Sequence, residues 1–153
     1  TKYYKRARFT TRLPIDRLYN RSHFWMLEVE SGLFRIGLTR FATRMLGDLV
    51  EFEFQVQIGD TVAVGDVLGS IEGFKAISDL YACLGGTFEG INDELTKKPA
   101  LLDRDPYDAG WLYLVRGAPN ASSVTLEEYM AHLDITVDRI LKQESEESQG
   151  KSC

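Results

Sequence analysis

Between Gly47 and Val115 the chain is cut into short apolar runs by turn residues at close, regular intervals, and this punctuation restricts the fold more than any other feature. Asp48-Leu-Val-Glu-Phe-Glu-Phe54 alternates acid and apolar over its second half, as a half-buried strand does. Gln57-Ile-Gly59-Asp60 and Ala63-Val-Gly65-Asp66 are turn signals around a very short strand. Val67-Leu-Gly-Ser-Ile-Glu72 leads up to Lys75, and Ala76-Ile-Ser-Asp-Leu-Tyr81 leads away from it. Gly85-Gly86 opens another turn before Thr87-Phe-Glu-Gly-Ile91, and Asp108-Ala-Gly110 precedes a last strand, Trp111-Leu-Tyr-Leu-Val115. Asn92 to Pro99 is polar and ends at proline. Several short strands at such spacing predict a mostly β fold, a sandwich or a flattened barrel. The halves 48–72 and 76–115 are expected to pack face to face, with Lys75 at the tip of the hairpin that joins them.

The flanks add helices. His23-Phe-Trp-Met-Leu-Glu-Val-Glu30 alternates loosely and reads as a strand, Ser31-Gly32 as a turn, and Leu33 to Leu38 as the returning strand. Thr39 is placed to cap a short helix, Arg40 to Leu46, that Gly47 stops. Ser123 or Thr125 caps a C-terminal helix, and Thr125-Leu-Glu-Glu128 has capping-box spacing. Leu126, Met130, Leu133, Val137, Ile140 and Leu141 give that helix its apolar stripe. The predicted organisation is a basic, disordered N-terminal arm (1–21), one domain with its C-terminal helix (22–141) and a disordered tail (142–153).

The net charge of −5 over 153 residues argues against nucleic-acid binding. No apolar run is long enough for a membrane span, and no apolar segment of the signal-peptide kind follows the basic start. Cys83 and Cys153 do not make a disulfide framework, so a reducing cytoplasm is the expected compartment. Cys83 is either a small buried residue or an accessory thiol near Lys75. His23 and His132 sit in no nucleophile motif, and the two histidines and two cysteines lack the spacing of a metal site. Asp103, Asp105 and Asp108 lack the glycine and terminal glutamate of a calcium loop and read as turn caps. No glycine-rich phosphate cradle occurs. Lys75 has Glu72 and Asp79 near it and no neighbouring cation, which favours the ammonium over a nucleophilic amine. A lysine so placed is acted upon, and the chain is expected to be no enzyme.

Gly37-Leu-Thr39, Leu46-Gly-Asp-Leu-Val50, Gly65-Asp66, Glu72-Gly-Phe-Lys75-Ala-Ile-Ser-Asp-Leu-Tyr81, Gly86, Asn92-Asp-Glu-Leu95, Asp105-Pro-Tyr107 and Gly110-Trp111-Leu112 occur in order from about residue 22 to 116. In this set the chain resembles the H protein of the glycine cleavage system, a family within the lipoyl and biotinyl carriers. The combination of a lysine hairpin with a distal Asp-Pro-Tyr…Gly-Trp-Leu element is specific. The resemblance implies a hybrid β domain with lipoic acid joined by an amide to Lys75. It implies that lipoate-attaching enzymes read Gly65, Glu72 and Asp79, and that the dithiolane supplies the group-transfer chemistry while the protein supplies reach and recognition. Dihydrolipoamide dehydrogenase is a further expected partner.

Four departures bear on the other partners. Arg40, followed by Arg44, stands where the family usually has an acidic residue. Phe54-Gln-Val-Gln57 replaces Leu-Pro, Gly73-Phe74 replaces Ser-Val, and Cys83 replaces a proline. This variation resembles the lipoate-binding proteins of heterodisulfide-reductase-like sulfur oxidation, so that complex is the expected client; the alternative is the glycine cleavage enzymes, with an aminomethyl cargo. Arg40 and Arg44 are four apart on the short helix and share a face, either as a solvated edge or as a docking patch for an acidic partner.

Overall fold

The computed structural model describes residues 1–151. Its elements run β1 (Lys2–Arg6), β2 (Phe9–Leu13), β3 (Leu18–Tyr19), β4 (Phe24–Glu30), β5 (Leu33–Leu38), α1 (Arg40–Leu46), β6 (Leu49–Phe54), β7 (Thr61–Val62), β8 (Val67–Gly73), β9 (Ile77–Tyr81), β10 (Gly85–Ile91), α2 (Asp93–Lys97), α3 (Leu101–Arg104), β11 (Tyr113–Ala118) and α4 (Leu126–Lys151). A six-stranded sheet has the order β3-β4-β5-β11-β10-β7, a three-stranded sheet the order β6-β8-β9, and β1 pairs with β2 alone. All pairings are antiparallel. The sheets are open, so the expected sandwich forms and the flattened barrel does not.

The halves do not divide at Lys75 as the sequence predicts. β7, from before the lysine, joins the large sheet through β10, and β9, from after it, stays with β8. The two hairpin strands keep each other because antiparallel neighbours joined by a tight turn close at little entropic cost.

One core lies between the sheets. Phe24, Met26, Phe34, Ile36, Phe88, Tyr113 and Val115 of the large sheet meet Leu68, Ile71 and Leu80 of the small one. The opposite face of the large sheet is covered as well. Trp25 and Tyr19 point there, into a second core with Tyr129, Leu133 and Val137 of α4 and Tyr4 and Leu13 of the N-terminal hairpin. Coverage of both faces is why Phe24, Trp25 and Met26 are buried in succession and why the β4 sequence alternates only loosely.

Both chain ends depart from expectation. Residues 1–21 hold a hairpin, not a disordered arm: Tyr4 and Leu13 are buried, Tyr4 Oη donates to Asp134 (2.8 Å), and the Arg6 guanidinium grips Asp138 at 3.0 and 2.7 Å. These partners lie on a distant element, which sequence periodicity does not report. Helix α4 continues through Lys151 where a disordered tail is expected; Ser152 and Cys153 lie outside the described residues. Its capping box forms, with Thr125 Oγ1 accepting from the Glu128 amide (3.2 Å) and the Glu128 carboxylate from the Thr125 amide (3.3 Å). The polar stretch after Ile91 is also helical: Asn92 caps α2, its side chain accepting from the Glu94 amide. No helix among the described residues is long and apolar enough to cross a membrane.

Candidate functional site

Lys75 lies in the turn between β8 and β9, exposed, with its neighbours Phe74 and Ile77 80% and 71% exposed. Exposure does not mean looseness. The Lys75 amide donates to the Leu46 carbonyl (2.9 Å), the Phe74 amide to the Asp48 carbonyl (3.0 Å), and the Gly73 amide to the Ala76 carbonyl (2.9 Å). The first two bonds fasten the tip to the junction of α1 and β6, where the Leu46 and Asp48 carbonyls accept, and the third closes the turn itself. Gly47 has φ +79°, and a Cβ there would stand 2.9 Å from Lys75 Cγ. Gly73 is packed still closer, its absent Cβ 2.2 Å from the Leu46 carbonyl oxygen. A backbone fixed in this way gives a long side chain a firm pivot.

The distal motif holds α1, and through α1 the pivot. Tyr107 Oη accepts from the Arg40 amide at the first turn of α1 (2.9 Å). Trp25 Nε1 donates to the carbonyls of Pro106 (3.0 Å) and Leu38 (3.1 Å), and its ring lies where a Cβ on Gly37 would be. Asn92 donates to the carbonyls of Ala109 and Trp111, both at 2.8 Å, closing the loop around Gly110. Asp105 caps the Ala109 amide (3.2 Å), the turn role expected of it, whereas Asp103 lies in α3.

Two clefts flank the pivot. One, of about 470 Å³, is lined by Arg40, Arg44, Asp48, Phe74, Lys75 and Asp103, among others. The other, about 170 Å³, runs between α1 and β9 from Met45 and Ala76 to Ser78 and Asp79, with His23 and Phe24 along it. Burial, helped by the neighbouring His132, pushes the His23 imidazole down to about 4. It is neutral at physiological pH, hydrogen-bonded through Nδ1 to Tyr129 Oη (2.8 Å), and too weak a base for proton transfer there.

The remaining expected site residues separate into two groups. Glu72 pairs with Ile77 and Ser70 with Asp79, so both carboxylates project from the outward face of the hairpin, next to the tip. Glu51, directly opposite Glu72, and Glu53, opposite Ser70, extend this acidic face; among the described residues none of the four is in an ion pair. Gly65 is elsewhere. Its amide bonds the Ala82 carbonyl at the foot of the hairpin, roughly 20 Å from the tip at about 3.3 Å per strand residue, and its φ of +88° explains the glycine as a turn former.

Cys83 is also at the foot, and the accessory-thiol expectation is corrected. It is 1% exposed, with Asn20 donating to its Sγ (3.3 Å), and burial pushes its thiol up to about 12. A thiol so buried and protonated does not exchange with a dithiolane at the far end of a hairpin. Arg40 and Arg44 line one cleft beside Lys75, but each is also held locally. Arg40 bonds the Asp103 carboxylate (2.9 Å) and the Asp103 carbonyl, and Arg44 lies over the Phe9 ring, 5.4 Å from its centroid. Sequence reading missed Asp103 as the counter-ion, because it lies on α3, and missed Leu46 and Asp48 as anchors, because they act through backbone carbonyls.

A family model described as glycine cleavage H-protein matches residues 17–136. A glycine cleavage system H protein from Kocuria rhizophila is 37% identical over 123 residues, 80% of this chain and 95% of the relative. One from Listeria innocua is 39% identical over 125 residues, 80% of this chain and 98% of the relative. The crystal structure of a glycine cleavage system H protein from Mycobacterium marinum superposes with a TM-score of 0.70 at 35% identity, covering 78% of this chain and 97% of that one. With the Leu46-Gly-Asp anchor and the Asp105-Pro-Tyr…Gly-Trp-Leu clamp both in place around one presented lysine, the chain belongs to the glycine cleavage H-protein family.

Proposed function

We propose that Lys75 carries lipoic acid as an amide and that the resulting arm shuttles a covalently bound intermediate between partner enzymes, the protein itself being a non-catalytic carrier. The observation that carries this reading is an exposed lysine on a hairpin tip fastened to the α1–β6 junction by two hydrogen bonds and closed by a third of its own. Fixed attachment with a free side chain is what a swinging arm needs. The two clefts beside the pivot have room for parts of such an arm. When bound, the group supplies a dithiolane for redox and group-transfer chemistry; the chain's residues supply position, reach and a recognition surface. Glu72 and Asp79, beside the tip, are the recognition residues this reading assigns to a lipoate-attaching enzyme, with Gly65 contributing through the shape of the hairpin foot. A cytoplasmic setting suits a carrier with a buried, reduced Cys83.

Family membership makes the glycine cleavage enzymes the best-supported clients, with an aminomethyl cargo and dihydrolipoamide dehydrogenase reoxidising the arm. The comparisons lend no support to the sulfur-oxidation reading that the sequence variations favour. One observation keeps that reading as the second: Arg40 and Phe74, from two of the four departures, both line the cleft that contains Lys75. Reconstitution of the lipoylated protein with the decarboxylase and aminomethyltransferase of glycine cleavage separates the two. Turnover that Lys75→Arg abolishes supports the first; a lipoylated protein that gives no turnover with those enzymes but is served by a heterodisulfide-reductase-like complex supports the second.

A further inference from the structure

The N-terminal hairpin and the outer turns of α4 lie mostly outside residues 17–136, the stretch the family model matches, yet they build something together. A groove of about 580 Å³ opens between the β1–β2 turn, α1 and α4. Arg8 comes from the turn, Phe9 from the start of β2, and Ile140, Leu141 and Glu144 from the helix; only the α1 residues of the lining belong to the matched stretch. The groove is preformed. Tyr4 and Arg6 tie the hairpin to Asp134 and Asp138, and Phe9 sets its ring edge-on to Phe41, centroids 5.5 Å apart.

Its position points to the arm. Arg44 lines both this groove and the cleft that contains Lys75, and Met45 lines both the groove and the slot beneath Ala76. Whatever fills the groove therefore lies against the pivot. Its chemistry is one-sided: an apolar bed with Met45 and Leu141 48% and 42% exposed, two guanidinium groups (Arg8 and Arg44), and a single carboxylate, Glu144. We propose that this groove docks an apolar segment with an acidic flank, carried by the enzyme that accepts the arm, and that the elements outside the family match select that client. The inference rests on the carrier reading of Lys75. Apolar anchors in a preformed groove give the affinity, and the arginines orient the encounter.

The test uses full-length lipoylated protein and whichever purified client, the glycine decarboxylase or the heterodisulfide-reductase-like complex, turns the arm over. Arg8→Glu and Leu141→Glu alter exposed positions, and unchanged thermal melts confirm the fold. Each is expected to raise the client's KM for the carrier about tenfold, the usual loss for one interface anchor, with kcat unchanged. The Arg8→Glu effect shrinks as salt rises, and lipoylation of Lys75 by a purified ligase proceeds at the wild-type rate. Unchanged KM in both variants overturns the proposal while leaving the carrier reading intact. A wild-type dimer in sedimentation that Leu141→Glu converts to monomer also overturns it, because the groove is then filled by a second copy. A wild-type chain that accepts no lipoate overturns both.

Discussion

At the scale of single residues, two glycines decide how Lys75 is held. Gly47 turns the chain at φ +79° against the lysine's own methylenes, and Gly73 lets the hairpin close onto the Leu46 carbonyl. No side chain at position 73 fits here without moving the end of α1, since its Cβ would fall 2.2 Å from that oxygen. Gly73→Ala is expected to cost about 1–3 kcal/mol, the range for overpacking a filled site, measured by urea unfolding, and to slow ligase-catalysed lipoylation because the tip shifts. A variant as stable and as readily lipoylated as wild type would show that the close approach is unimportant. The sequence shows these glycines as punctuation but not what they approach. Their neighbours come from the α1–β6 junction, and a contact between backbone atoms leaves no residue signature. Cys83 failed for a related reason: its distance from Lys75 along the chain is short, but a β-hairpin places strand end and turn far apart.

At the scale of elements, α1 is the link between the distal motif and Lys75. Its first turn is held by Tyr107 and by Thr39, its last residue receives the Lys75 amide, and Arg40 braces it against α3. The sequence showed its extent because the cap, the stop and the helix are all local. What braces it was illegible, since Asp103 and Tyr107 arrive from more than sixty residues away. Thr39 is buried, its hydroxyl 2.8 Å from Tyr129 Oη and 3.5 Å from the Ala42 amide. Thr39→Val keeps the volume and removes both contacts, so a loss of about 1–2 kcal/mol is expected. Denaturant unfolding checks it; a change below the error of the measurement would remove Thr39 from this account. Helix α4 shows the same division. Its start was legible from the capping box, but Tyr129, fully buried and stacked on Tyr19 at 4.9 Å, was overlooked in a stripe read from aliphatic residues.

At the scale of the whole molecule, a half-buried imidazole just ahead of β4, packed between α1 and α4, ties stability to pH. The folded state holds His23 near 4 against an ordinary 6.5, so the unfolded chain binds the proton more readily. The contribution is complete above about 6.5 and is lost as pH falls towards 4, a total on the order of 3 kcal/mol. Urea midpoints at pH 7 and pH 5 should show the decline, and His23→Asn, which tolerates the left-handed backbone at φ +70°, should flatten it. An equal decline in the variant would assign the effect to other groups. Sandwich architecture, hairpin and lysine tip were legible because they follow from local period and turn chemistry; the exchange of β7 and β9 between sheets and the docked N-terminal hairpin were not, because long-range pairing decides them. The proposed role of every element described depends on the fastened, exposed Lys75 being a lipoyl attachment site. Intact-mass measurement after incubation with a lipoate ligase, ATP and lipoic acid tests it directly. One lipoyl adduct is expected on the wild-type chain and none on Lys75→Arg; no adduct on the wild type, or an adduct that survives in Lys75→Arg, would contradict the assignment.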